Sequence, residues 1–216
     1  VIIALDGPAA SGKGTLAKRL ARHFGFAHLD TGKLYRAVGL AVLQAGEDPE
    51  DAAAAERAAN ALAPSDLDNP ALSGDDAAVA ASKVAAIPAV RAALLAFQRR
   101  FAECPPDGAP GAVIDGRDIG TVVCPGAQAK LFVTAGVEIR AERRHKELLG
   151  RGETSIYARV LQDLTERDER DSKRAVSPLM AADDAIVLDT STLDPDAAFA
   201  AALAHVEKRR KDGSSR

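Results

Sequence analysis

Short apolar runs alternate along this chain with longer stretches whose apolar residues recur every three to four positions. The runs are Val1–Asp6, Phe26–Asp30, Ala112–Asp115, Ala129–Thr134 and Ala185–Asp189. They have strand length, and several end in Asp or Thr, as buried parallel strands do at a functional edge. The intervening stretches read as helices. Leu16, Leu20 and Phe24 share one face of the first. Val90, Leu94, Phe97 and Phe101 share a face of another, with Pro88 near its start. The last opens with Asp194-Pro195, a cap and a first-turn proline, and carries Phe199, Leu203 and Val206. This alternation predicts an α/β fold: a parallel sheet with helices on both faces and ligands at the carboxyl ends of the strands.

Glu47–Ser82 breaks the alternation. It is Ala-rich, contains Pro64 and Pro70, and shows no strand pattern. It reads as a small helical insertion, with a helix over Ala53–Ala63 and a loop over Ser65–Gly74.

The bulk numbers add limits. A chain of 216 residues, 47% hydrophobic and 27% charged, suits one α/β domain with small insertions. A net charge of −3 gives no reason to expect a nucleic-acid polymer or a membrane surface as partner. The first apolar run is too short for a signal peptide, and no run has the length of a membrane span. Cys104 and Cys124 lack metal-ligand spacing, so a reducing cytoplasm is expected. The chain begins at Val1 rather than Met, and a few preceding residues are expected. The basic tail Lys208–Arg216 reads as a frayed, solvated end.

The chemistry starts at Gly7-Pro8-Ala9-Ala10-Ser11-Gly12-Lys13-Gly14-Thr15, between the first strand and the first helix. Small residues let successive backbone N–H groups curl around a polyphosphate, and the helix N-terminus adds its dipole. Lys13 brings a mobile charge for the outer phosphates. The residue after the lysine is Gly14, and the hydroxyl comes one place later at Thr15. That variant is typical of nucleoside monophosphate kinases.

Three further constellations follow strands or helices. In Asp30-Thr31-Gly32-Lys33-Leu34-Tyr35-Arg36, Thr31 reads as a helix cap and Arg36 lies in the second turn. In Asp115-Gly116-Arg117-Asp118, a hydrophobic strand ending in Asp115 resembles a Walker B element that orients magnesium or its waters. In Glu166–Arg174, helical spacing continues the apolar face of Ile156, Val160 and Leu164 into Arg167, Asp171 and Arg174. An inward stripe thus becomes charged, while Glu166, Asp168, Glu169 and Lys173 read as surface. Arg140, Arg143, Arg144, Arg151 and Arg159 flank two glycines, which suggests a mobile lid whose arginines are individually exposed. His23, His28, His145 and His205 are scattered and read as surface or structural.

A triphosphate cradle with surplus arginines points to phosphoryl transfer by positioning and charge stabilisation. An acceptor that is itself a phosphate needs no general base.

The chain resembles the bacterial cytidylate kinase family over essentially its whole length. GPAASGKGT at Gly7–Thr15, DTGKLYR at Asp30–Arg36 and ASKVAAIPAVR at Ala81–Arg91 carry the resemblance. DGRDIGTVVCP at Asp115–Pro125 and ERDERDSKRAVSPL at Glu166–Leu179 complete it. The resemblance implies a monomer that transfers the ATP γ-phosphate to CMP or dCMP with Mg2+. It implies a P-loop fold with a five-stranded parallel core, a monophosphate-binding insertion at about 36–104 and a short lid at about 145–160. Lys13 then falls on the P-loop lysine. Arg36, Arg117 and Arg174 fall on residues that hold the acceptor phosphate or the transferring group. Ser82, Arg91 and Asp118 fall on base readers, Thr31 and Tyr35 beside the monophosphate, and Arg167 and Asp171 near the sugar. The insertion is shorter than the family often has, and Thr31 and Lys33 vary its usual pattern. Adenylate or shikimate kinases and a P-loop switch protein are the alternatives. A GTPase switch would carry an NKxD motif, which this chain lacks.

Overall fold

In the computed structural model, residues 1–213 are described. Five strands form one parallel sheet: β1 (Ile2–Asp6), β2 (Ala27–Asp30), β3 (Ala112–Gly116), β4 (Ala129–Thr134) and β5 (Ile186–Asp189), in the order β2-β3-β1-β4-β5. The five expected runs are these strands, with ends shifted by at most one residue. Ile3, Ala4 and Leu5 are wholly buried because β1 is central and covered on both faces.

Helices α1 (Lys13–Phe24) and α8 (Pro195–Gly213) cover one face through Leu16, Leu20, Ala202 and Val206. Helix α5 (Pro88–Glu103) covers the other with Ala102, Leu95 and Phe101, beside Ile119 and Val123. Asp194 caps α8 as its sequence predicts, accepting from the N–H groups of Asp196 and Ala197 at 2.9 and 2.7 Å. The tail differs from expectation. Helix α8 continues through Gly213, and Arg210 lies over the rings of Phe24 and Phe26 at 4.7 and 5.7 Å, which holds this end of α8 against α1. Residues 214–216 of the expected frayed tail lie outside the described residues.

The segment from α2 (Thr31–Gln44) to α5 is helical, with α3 (Ala52–Ala61) and α4 (Asp75–Val84) between them. The stretch expected as a loop is two short 3₁₀ turns, Pro64–Asp68 and Pro70–Ser73, each started by its proline. Helices α2 and α4 cross closely at Gly39, where a Cβ would stand 2.7 Å from the Cβ of Ala80. Leu34, Val38, Val84, Val90 and Leu94 build this segment's own core. Helices α6 (Val137–Gly150) and α7 (Tyr157–Lys173) pair through Ala141, Leu148, Val160 and Leu164, with Ala9 and Ala10 packed against them. Ile156, expected on that inward face, is 63% exposed, because it precedes the first residue of α7 and the helical phase does not reach it. No single helix among the described residues is long and apolar enough to cross a membrane.

Candidate active site

The parallel register decides where the motifs meet. Asp6 pairs with Gly116 and Asp30 with Asp115, so the loops after β1, β2 and β3 leave one sheet edge together.

The loop after β1 is the expected cradle. Gly7 has φ +148°, and a Cβ there would meet the carbonyl oxygen of Val133 at 1.9 Å, so the tight exit from β1 admits glycine alone. Ala10 takes φ +58° and Gly12 φ +87°, which turns the loop onto the N-terminus of α1. The Ser11 hydroxyl is buried and has no hydrogen-bond partner. Lys13 is buried, with its ammonium 3.4 Å from the Pro8 carbonyl. Burial, then the nearby Arg117, pulls Lys13 down to about 7. A cavity of about 550 Å³ opens on this loop, lined by Ala10–Thr15, Arg19, Arg143, Arg144, Thr190 and Pro195 among others.

A second, smaller pocket of about 40 Å³ gathers Thr31, Tyr35, Ser82, Arg91, Arg117, Asp118, Arg167, Asp171 and Arg174. These residues come from five separate segments. Arg36 is not among them. Its guanidinium donates to the Leu72 carbonyl at 3.1 Å, and burial lowers its pKa.

Buried ion pairs set the geometry here. Arg91 donates to Asp118 at 2.5 Å and lies over the Tyr35 ring at 5.4 Å. Arg117 donates to Asp171 at 2.9 Å, and Arg174 lies 3.7 Å from the same carboxylate. Burial pushes Asp171 upward, but Arg117, Arg167 and Arg174 outweigh it and hold the carboxylate below its ordinary range. Burial, then Arg117, lowers Arg167 to about 10. Arg167 Nε, Arg174 Nη2 and Arg91 Nε are buried donors without partners. Crowded cations with spare inward donors are the chemistry of an anion site.

The helical phase predicted for Arg167 and Asp171 holds, whereas Arg174 follows the last residue of α7 in extended backbone and reaches the same carboxylate from there. Thr31 is not a cap. It is the first residue of α2, and its hydroxyl donates to the Asp115 carbonyl at 2.8 Å, joining α2 to β3. Asp115 itself is buried, and its carboxylate meets His28 Nε2 at 2.8 Å. Of the two readings, surface or structural, His28 takes the structural one. Thr15 is exposed beside the cradle. Among the described residues no group of three or more His, Cys, Asp or Glu side chains could hold a metal.

Several contacts were not legible as site features. Arg140, expected to be exposed, is buried. It donates to the Ala9 carbonyl at 3.1 Å and to both oxygens of Asp168, at 3.2 and 2.5 Å. Asp168, expected to be plain surface, thus ties α7 to the cradle through α6. Arg143 donates to Thr190 Oγ1 and its carbonyl at 3.0 and 2.6 Å. Arg170 donates to the Ser82 hydroxyl at 2.6 Å. Arg151 and Arg159 are exposed, as expected. Arg144 pairs with Asp75, and Arg151 donates to the Ser73 carbonyl at 3.2 Å, so the α6–α7 end touches the start of α4.

The cytidylate kinase family model matches residues 3–208. The chain belongs to this family. A cytidylate kinase of Paramagnetospirillum magneticum is 66% identical over 209 residues, covering 97% of this chain and 99% of that protein. One of Rhodospirillum rubrum is 62% identical, covering 94% of this chain and 95% of that protein. Among solved structures, an uncharacterized protein from Eubacterium ventriosum superposes with a TM-score of 0.54 at 15% identity, covering 96% of this chain and 98% of that one. At that identity the likeness is one of fold alone.

Proposed function

We propose that the protein transfers the γ-phosphate of ATP to CMP or dCMP, giving ADP and the nucleoside diphosphate, as a cytoplasmic monomer. One observation carries this reading. The Arg91–Asp118 pair stands in the same pocket as Arg117, Arg167 and Arg174, so a polar base-reading pair and a phosphate-holding cluster share one site. Cytosine offers an acceptor at ring N3 and a donor at its exocyclic amine. Arg91 and Asp118 match that pattern, and uracil reverses it.

In this reading Lys13 and the cradle N–H groups hold the triphosphate. Arg117, Arg167 and Arg174 supply charge where it develops between two phosphates that repel each other. The acceptor phosphate is already ionised, so no side chain need take its proton. Magnesium would be held by Thr15, which is exposed within the cradle, together with the bound phosphates. The ion would neutralise charge on the outer phosphates. Asp115 acts less directly, since its carboxylate is engaged with His28.

The acceptor pocket of about 40 Å³ is far below the roughly 300 Å³ at which ligand sites begin. Acceptor binding therefore requires movement. The contacts of Arg144 with Asp75 and of Arg151 with Ser73 join lid to insertion.

Coupled ADP-release assays with CMP, dCMP, UMP, AMP and shikimate test the reading. CMP and dCMP should turn over well, with clear preference over UMP. Asp118→Ala should shrink the ratio of the CMP and UMP specificity constants, by roughly 10-fold or more for an unmatched buried polar group. Preference for AMP or shikimate, or hydrolysis with no acceptor dependence, would overturn it.

A further inference from the structure

Asp118 sits at the cap position of a short π-helical turn, Ile119–Val123. An Asp there ordinarily turns its carboxylate onto the second or third N–H of its own turn, here that of Gly120 or Thr121. Asp118 does not. Its side chain makes no cap bond and reaches Arg91 instead. The orphan N–H groups are still buried, and buried donors must be satisfied. They are satisfied from far away in the sequence. Asp6, the last residue of β1, accepts from Ile119 N at 2.7 Å and from Gly120 N at 2.8 Å. Its own backbone is fixed by pairing with Gly116 of β3 and Phe132 of β4. The turn closes behind this cap, with Val122 and Cys124 donating to the carbonyls of Asp118 and Ile119 at 2.8 and 2.7 Å.

We propose that Asp6 is a positioning residue for acceptor choice: it caps the turn in place of Asp118 and so leaves the Asp118 carboxylate free to face Arg91 and the acceptor base. The idea rests on the base-reading role proposed above. It adds that base choice is set partly by the strand that leads into the donor cradle. Keeping a carboxylate at this depth is unfavourable, since burial lifts Asp6 to about 6 despite its two N–H donors. A residue serving only as filler would be apolar there.

The test uses the full chain and four variants: Asp6→Ala, Asp6→Asn, Asp118→Ala and the double variant Asp6→Ala/Asp118→Ala. Specificity constants for CMP and UMP, the KM for ATP, and thermal melting are measured for each. Without its distant cap, the Gly120 N–H is left for Asp118 to cap, which draws that carboxylate away from Arg91. Asp6→Ala should therefore shrink the CMP-to-UMP ratio by on the order of 10-fold, as expected for an unmatched buried polar group. Asp6→Asn keeps one accepting oxygen and should fall between wild type and Asp6→Ala. It also carries the test if Asp6→Ala does not fold. The double variant should show the ratio of Asp118→Ala alone, because Asp6 acts through Asp118. A merely structural role would lower both substrates alike and leave the ratio unchanged. That result, with Asp118→Ala still shrinking the ratio, overturns the proposal while sparing the base-reading assignment. An unchanged ratio in Asp118→Ala overturns both.

Discussion

Lys13 offers the sharpest quantitative test. Its ammonium is buried, has one carbonyl at 3.4 Å, and faces Arg117 and Arg167. The fall from 10.5 to about 7 corresponds to roughly 5 kcal/mol against the charged form. The sign follows from linkage. Between pH 7 and 10.5 the nucleotide-free fold binds fewer protons than the unfolded chain, so its stability rises with pH across that window. Below pH 7 the full cost of charging a buried lysine is present. A bound polyphosphate supplies the missing counter-charge and returns Lys13 toward its ordinary value. At pH 8 the free site is mostly deprotonated, so ATP binding should take up a large part of one proton. The terminal phosphate, with a second pKa of about 6, is already ionised at that pH and contributes little. Titration calorimetry in two buffers of different ionisation enthalpy reads the uptake directly, with ATP and no acceptor. Lys13→Met should abolish the uptake and lower turnover by roughly 100- to 1000-fold. Uptake near zero in the wild type, or equal uptake in Lys13→Met, would refute the linkage argument.

Two further substitutions probe the helical phase and the cradle. Arg174→Ala should cut turnover by on the order of 100-fold, whereas Lys173→Ala should change it by less than about 2-fold. The Arg174 side chain is 4% exposed and that of Lys173 is 76% exposed, so equal losses in steady-state assays would contradict the stripe. Gly7→Ala should destabilise the fold by roughly 3 kcal/mol or more, since its Cβ would stand 1.9 Å from a backbone oxygen. A melting temperature within a degree or two of wild type would show that the β1 exit is looser than described.

The cradle was legible in the sequence because its chemistry is local. Consecutive small residues, one lysine and a strand-to-helix junction specify an anion site without help from distant residues. Arg167 and Asp171 were legible for a similar reason: an α-helix has a fixed period, so phase carries forward along α7, although Arg174 reaches the site from the extended residue after the helix. The same rule failed at Ile156, which lies before the helix begins. The central strands announced themselves by being apolar along their whole length, because both faces of the sheet are covered. What the sequence could not disclose is who pairs with whom across the fold. Asp6 meets Ile119 across 113 positions, His28 meets Asp115 across 87, and Arg170 meets Ser82 across 88. Arg140 and Asp168 looked like ordinary surface charges on two helices. They become a buried tie only because α6 packs on α7 beside the cradle. Charged residues carry no periodic mark of burial, so strand order and helix packing alone decide which reach the site. Sequence determined the local chemistry and the fold class, whereas tertiary structure chose the partners that hold that chemistry in place.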